Sequence, residues 1–249
     1  MRAGKGRNCI PAFFIYLIFK LLEGLIESQS RIMTIDHLKA LLHQAFSEQL
    51  PGKEAHVKMA PQPLDLRRFT TTFAEPPKKS GVLVLFYADE GTVYFPLIKR
   101  PQYLGVHSGQ VGFPGGKMEP SDPDILFTAL REAEEEIGID AGKVEVLGCL
   151  SDLFIPTSNF LVTPVVGLIQ EKPNFVPEQR EVARIITTEV ISLFHPEVRK
   201  QTQLAVGGGM YLDTPYFAVE EEVVWGATAM ILSELIQVLD QKSGFGMAF

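Results

Sequence analysis

The chain has 249 residues, 46% of them hydrophobic and 21% charged, with 21 Gly and 17 Pro, which suits a globular protein long enough to bury a core and excludes a collagenous, coiled-coil or broadly disordered chain. Acidic side chains outnumber basic ones 30 to 23, a net charge of -7, so neither nucleic acid nor an anionic membrane is the expected partner. Two cysteines, Cys9 and Cys149, supply neither a disulfide framework nor a zinc cluster and point to a reducing compartment, the cytoplasm by default.

Residues 1–32 differ from the rest. Arg2, Lys5, Arg7, Lys20 and Arg31 there outnumber Glu23 and Glu27, whereas the remainder is acidic. The apolar run Ile10–Phe19 is shorter than the roughly 20 residues that span a bilayer, so no stable membrane insertion is expected. No Ala-x-Ala-like cleavage site follows it, as a secretory signal would require. Met33 is the expected initiator, with the preceding segment a non-native or loose extension. Residues 33–79 then form an N-terminal helix and lead-in, and 80–249 the main domain.

From Asp36 to Leu50, apolar residues recur at helical spacing behind a Thr34 or Asp36 cap. Residues 51–80, rich in Pro, Lys and Thr, lack sustained periodicity and read as a lead-in over the surface. Gly81–Tyr87 and Thr92–Lys99 are predicted strands joined as a hairpin. A Gly-rich passage, Gly105–Gly116, leads into a helix from Asp124 to Ile137, stopped by Gly138. Strands follow at Val144–Leu150, Leu161–Ile169 and Val182–Thr187, a short helix at Val190–Phe194, a flexible turn at Gly207–Gly209, a strand at Pro215–Val219 and a closing helix at Ala227–Leu239. Such an alternation predicts a layered α/β or α+β domain.

The helix beginning at Asp124 carries the chemistry. With about 100° per residue, Glu132, Glu135 and Glu136 share one arc roughly 100° wide, Glu134 points elsewhere, and Leu126, Ala129, Leu130, Ala133 and Ile137 form the apolar stripe beside it. Clustered carboxylates repel, and Glu135 and Glu136 stand in the last turn, where the helix dipole is already negative. Solvated, the arc costs a few tenths of a kcal/mol per pair; half-buried, about 3 kcal/mol per pair at an effective dielectric of about 20. A hard divalent cation, Mg2+ or Mn2+ rather than zinc, is the compensator that oxygen-only ligands suit. Just before it, Phe113-Pro114-Gly115-Gly116-Lys117 lets the backbone pass close to a ligand, and it lacks the Ser/Thr that closes a Walker loop.

Taken together, Gly116, Asp122 and Arg131-Glu132-Ala133-x-Glu135-Glu136-x-Gly138-Ile139 resemble the Nudix box of the Nudix hydrolases. The usual box has seven residues and a glutamate where this chain has eight and Asp122. The resemblance implies a three-layer α/β/α sandwich around a mixed sheet, and hydrolysis of a diphosphate by attack of water. It implies Glu132 and Glu136 as metal ligands, with Glu135 a third and the Gly115 or Gly116 carbonyl completing the set. Arg131 flanks the arc, placed to orient a carboxylate by a bidentate hydrogen bond. Glu181, in the loop after Pro177, Glu132 and Glu135 are the candidates for the general base.

The approach to the box, Leu97-Ile98-Lys99-Arg100 and then Leu104 to Gly116 with His107 and Gln110, is similar to the signature of the coenzyme A diphosphatase branch, as is Val224-Trp225-Gly226-Ala227-Thr228-Ala229. Pro101 and Gly105 depart from it, standing where that branch has a serine and an arginine. The resemblance implies cleavage of coenzyme A or its thioesters to (acyl-)phosphopantetheine and adenosine bisphosphate, with Arg100, His107 and Gln110 binding the anionic substrate. Read as residues alone, His107 is equally a hydrogen-bonded turn histidine, Arg100 a strand-end charge, and Trp225 core packing. Another nucleoside diphosphate derivative as substrate, or a non-catalytic nucleotide sensor, are the alternative functions, and a homodimer stays open.

Overall fold

A computed structural model describes residues 33–103, 107–206 and 209–243. The expectations for residues 1–32, for Leu104, Gly105 and Val106, and for Gly207 and Gly208 lie outside the described residues. The first helix, α1 (Ile35–Phe46), starts where the Thr34 hydroxyl accepts the His37 amide at 3.2 Å, and it buries Leu38, Leu41, Leu42 and Ala45. Its periodicity runs on toward Leu50, but the helix is capped at Ser47.

Helix α2 (Lys53–Lys58) comes next. Two strands follow, β1 (Lys78–Asp89) and β2 (Thr92–Lys99), joined by Glu90 and Gly91, both at positive φ. Two such residues in succession give the turn whose twist suits a tight hairpin. The Gly-rich passage supplies two short strands, β3 (Val111–Gly112) and β4 (Gly115–Lys117). Helix α3 (Ile125–Ile137) is capped by the Asp124 carboxylate, which accepts the Phe127 amide at 2.8 Å, and is ended by Gly138 in the left-handed region. Then come β5 (Glu145–Cys149), β6 (Leu153–Ile155), β7 (Phe160–Ile169), β8 (Arg184–Glu189), β9 (Arg199–Val206), β10 (Met210–Val219), β11 (Glu222–Trp225) and α4 (Gly226–Ser243).

The main sheet runs β3-β2-β1-β7-β5, with β8 beside β2, β6 beside β7 and β4 beside β1. It is mixed: β1 is parallel to β7 and antiparallel to β2 and β4. The parallel pair demands a crossover, and α3 lies within it. Because strand side chains alternate faces, Leu83, Leu85 and Tyr87 join Ala129, Ala133 and Ile137 of α3 in one core. Val84 and Phe86 join Leu38 and Leu42 of α1 and Leu232 and Leu235 of α4 in the other. The result is the expected α/β/α layering around a mixed sheet. A β-carbon at Gly81 would come within 2.7 Å of the Ile125 carbonyl, so the missing side chain is what lets α3 lie directly on β1. A smaller sheet, β11-β10-β9, precedes α4.

Several elements differ from the sequence expectation. The stretch after Pro51 is not only a surface lead-in: α2 and the residues after it bury His56, Met59 and Ala60. One buried knot explains this. The Glu234 carboxylate of α4 accepts the Gly52 amide (3.0 Å), the Ser151 amide (3.1 Å) and the Ser151 hydroxyl (2.6 Å), and pairs with His56 Nε2 at 3.0 Å. Strands β6, β9 and β11 and the first half of β10 lie outside the predicted elements. The β9 sequence, Arg-Lys-Gln-Thr-Gln-Leu-Ala-Val, has no apolar alternation at its start, and Pro215 interrupts the β10 pattern. Val190–Phe194 is a single 3-10 turn over Ile191–Phe194 rather than an α-helix. Among the described residues, no helix is long and apolar enough to cross a membrane.

Candidate active site

Pairing of β4 with β1 sets Gly115 opposite Val82 and Gly116 opposite Gly81, which brings the glycine turn against the acidic arc of α3. Glycine is required at Gly115, and at Gly116 it leaves room for the Glu132 carboxylate. A β-carbon at Gly115, where φ is 150°, would overlap the Gly81 carbonyl and Val82, and one at Gly116 would overlap the Glu132 carboxylate. The Glu132 carboxylate thus occupies the space that a side chain at Gly116 would fill.

Glu136 is the buried member of the arc, 2% exposed. Its Oε2 accepts the Gly115 amide at 2.7 Å, and its Oε1 lies 3.6 Å from Arg100 Nη2. Arg100 also donates to the Gly115 carbonyl at 3.3 Å. Burial pushes the Glu136 carboxyl up to about 7, against the lowering effect of Arg100 and the Gly115 amide; the charges of Glu132 and Glu181 push the same way as burial. Glu132 is raised too, chiefly by burial and opposed by Arg131. Glu134 and Glu135 are exposed.

Arg131 organises the arc. Its Nε and Nη2 grip the two oxygens of Asp122 at 3.1 and 3.0 Å, while Nη2 also reaches Glu132 (2.9 Å) and Nη1 reaches Glu135 (3.1 Å). The bidentate pair holds Asp122 at about 2, first through Arg131 and then through the Glu119 amide, and raises Arg131. Asp122 further accepts the Thr128 hydroxyl at 2.9 Å. The shorter aspartate thus still reaches the arginine across the extra residue, and Asp122 anchors Arg131. Helical spacing places Arg131 beside the arc but carries no signal for this partner, because the two are joined across a loop and two helical turns.

The loop that carries Glu181 comes from more than forty residues further along the chain. The Glu178 amide donates to the Glu136 carbonyl at 2.9 Å and the Val176 amide to that of Ile137 at 2.9 Å, which docks the loop on the end of α3. The Glu181 charge acts on both Glu132 and Glu136. His107, at positive φ, and Gln110 bond each other, Nδ1 to Oε1 at 2.9 Å, and the Arg100 amide donates to the Gln110 carbonyl at 3.0 Å. These bonds link the three expected substrate-binding residues to one another. Trp225 is half-buried, opposite Tyr216.

The donors fit a hard divalent cation: Glu132, Glu135, Glu136 and Glu181 supply oxygen only, and Glu136 is a buried carboxyl whose negative charge is only partly compensated. Among the described residues, no three acidic, histidine or cysteine side chains stand converged as a ready-made cage; Arg100 and Arg131 lie beside Glu136 and Glu132. Of the two candidate carbonyls, that of Gly116 accepts the Ser80 hydroxyl at 2.7 Å, whereas that of Gly115 shares Arg100 with Glu136. The Gly115 carbonyl thus faces the same cation as Glu136, while Gly116 stands against the Glu132 carboxylate.

A pH dependence follows for the metal-free protein. Between the ordinary 4.5 of a glutamate and about 7, the folded chain holds a proton on Glu136 that the unfolded chain has lost. Stability from this group is full below 4.5 and is lost as pH rises through 7, by roughly 3 kcal/mol. Thermal unfolding in a chelator should therefore show a Tm that falls from pH 5 to pH 8, and Glu136→Gln should flatten that slope. An equal slope in the variant would contradict the assignment.

A family model described as NUDIX domain matches residues 77–198. Nudix hydrolase 15, mitochondrial, of Arabidopsis thaliana is 36% identical over 173 residues, 67% of this chain and 60% of the plant protein. The chain thus spans less than two thirds of that relative's length. Uncharacterized Nudix hydrolase NudL of Yersinia pestis is 35% identical over 181 residues, 71% of this chain and 87% of the bacterial one. Among solved structures, a MutT protein from Methanosarcina mazei Go1 overlaps 69% of this chain and all of its own, at 16% identity and a TM-score of 0.46.

Proposed function

This chain belongs to the Nudix hydrolase family, and from that premise we propose that it is a divalent-cation-dependent diphosphatase acting on coenzyme A or an acyl-coenzyme A. The observation that carries the chemistry is the buried carboxylate of Glu136, hydrogen-bonded to Gly115 at 2.7 Å, in an arc with Glu132 and Glu135. A bound Mg2+ or Mn2+ would offset charge on the diphosphate oxygens and lower the pKa of a water.

The chain's own groups have distinct tasks. Glu132 and Glu136 would hold the cation, with Glu135 and the glycine-turn carbonyl beside them. Glu181, exposed and with its charge raising both Glu132 and the buried Glu136, takes the proton of the water that attacks phosphorus. Arg131, fixed by Asp122, orients Glu132 and Glu135. Arg100 pairs with a phosphate, and His107 and Gln110 present polar groups from the same turn.

The run from Arg100 through His107 and Gln110 to Gly116 supports coenzyme A over other diphosphates. The net charge of -7 and the small acidic cradle favour a small-molecule substrate over nucleic acid, and a reducing compartment, the cytoplasm, suits a chain with two cysteines. The test is incubation with Mg2+ or Mn2+ and a panel of coenzyme A, acyl-coenzyme A, ADP-ribose and diadenosine polyphosphates, with products resolved by chromatography. Adenosine bisphosphate and phosphopantetheine are the expected products. Faster turnover of ADP-ribose would reject the coenzyme A reading, and no turnover of any substrate would favour a nucleotide sensor.

A further inference from the structure

Arg100 stands in an unusual place for a substrate-binding residue. Its Nη2 lies between Glu136 Oε1, at 3.6 Å, and the Gly115 carbonyl, at 3.3 Å, while the Gly115 amide closes the ring on Glu136 Oε2. A carboxylate oxygen and a backbone carbonyl are the two kinds of oxygen that a hard dication takes, at about 2.0–2.2 Å. A guanidinium nitrogen lodged between them excludes such an ion by volume and by charge. The pairing is also well suited to exchange. Glu136 is 2% exposed and, once ionised, needs a cation beside it, whereas the Arg100 side chain is 30% exposed. Its backbone is pinned by the amide bond to the Gln110 carbonyl at 3.0 Å, so only the side chain need swing.

We propose that Arg100 is the resident cation of the metal-free site and is exchanged for the divalent ion. Exchange frees the guanidinium to meet the anionic substrate, so that substrate capture by Arg100 follows metal uptake. Arg100 is then both the surrogate for the ion and the residue that reports its arrival. The inference rests on the acidic arc being the metal site.

Manganese binding without substrate tests it. Free Mn2+ is followed by electron paramagnetic resonance during titration of the full chain and of Arg100→Met, which keeps the stem and removes the charge. Loss of the competing cation is expected to tighten Mn2+ binding about fivefold. It should also lower Tm in chelator, with recovery when Mn2+ is added. Equal or weaker binding by Arg100→Met would overturn the exchange while leaving the metal site standing. If the unaltered chain takes up no more Mn2+ than Glu136→Gln, both the site and the exchange fall. Should Arg100→Met not fold, the side-chain spectrum of 15N-arginine-labelled protein gives a second reading. The Nε–H signal absent from Arg100→Lys should shift on addition of Mg2+, and a signal that stays fixed while Mg2+ binds would overturn the proposal.

Discussion

Glu136→Gln is expected to abolish hydrolysis, a loss of roughly a thousandfold or more, while Glu134→Gln stays within about twofold of the unaltered protein. The two glutamates are two residues apart on one helix and differ in everything that matters. Glu136 is 2% exposed, accepts the Gly115 amide and faces Arg100. Glu134 is exposed and accepts only a long bond, 3.4 Å, from the Ala141 amide. In Glu136→Gln the new side-chain amide can still accept from Gly115 through its oxygen, and it relieves the cost of a buried negative charge. The variant should therefore unfold in chelator at a Tm no lower than that of the unaltered protein at pH 8. Steady-state rates together with melting curves check both statements. Equal losses from the two substitutions would contradict the placement of the arc, and a collapse of Tm in Glu136→Gln would show that its effect is on folding.

The second large effect is on stability. Glu234→Ala is expected to cost about 3–5 kcal/mol, because it strands the buried Gly52 amide and His56 and takes the acceptor from both part-buried Ser151 donors. In a domain of this size that corresponds to roughly 10 °C in Tm. Burial alone would raise the Glu234 carboxyl, but the bonds from His56 and Ser151 outweigh it and hold the group below its ordinary 4.5. Its contribution is thus present above 4.5 and is lost as pH falls through the lowered value, the opposite sign to Glu136. Denaturant titration at pH 7 gives the number directly. A loss below about 1 kcal/mol would mean that α2 and α4 are held together by apolar packing alone.

These two glutamates are not equally visible in the sequence. Glu136 belongs to a motif whose residues lie within one helix, and helical geometry converts spacing into a shared face. Glu234 sits among Ile231, Leu232, Leu235 and Ile236 in a helix buried from Ala229 to Leu239, and nothing local marks it as different from a solvent-facing acid. Its partners come from Gly52, His56 and Ser151, distant in sequence. The same holds for Asp122, whose departure from the family pattern reads as a weakened position in the sequence and as the anchor of Arg131 in the fold.

Strands divide along similar lines. Lys78–Asp89, Thr92–Lys99 and Phe160–Ile169 are apolar on one or both faces because they cross the middle of the main sheet. The strands of the smaller sheet are hard to read because their pairing, with Phe217 opposite Arg199 and Tyr216 opposite Lys200, leaves no regular apolar face.

Local chemistry along the chain is thus enough to specify the acidic helix, its cap and stop, the glycine turn before it and the family to which they belong, since each depends on neighbours a few residues away. Which carboxylate is buried, which arginine neutralises it and which loop returns Glu181 to the arc depend on contacts between segments far apart. Those contacts exist only once β1 has paired with β4 and β7 and the two cores have closed on the sheet.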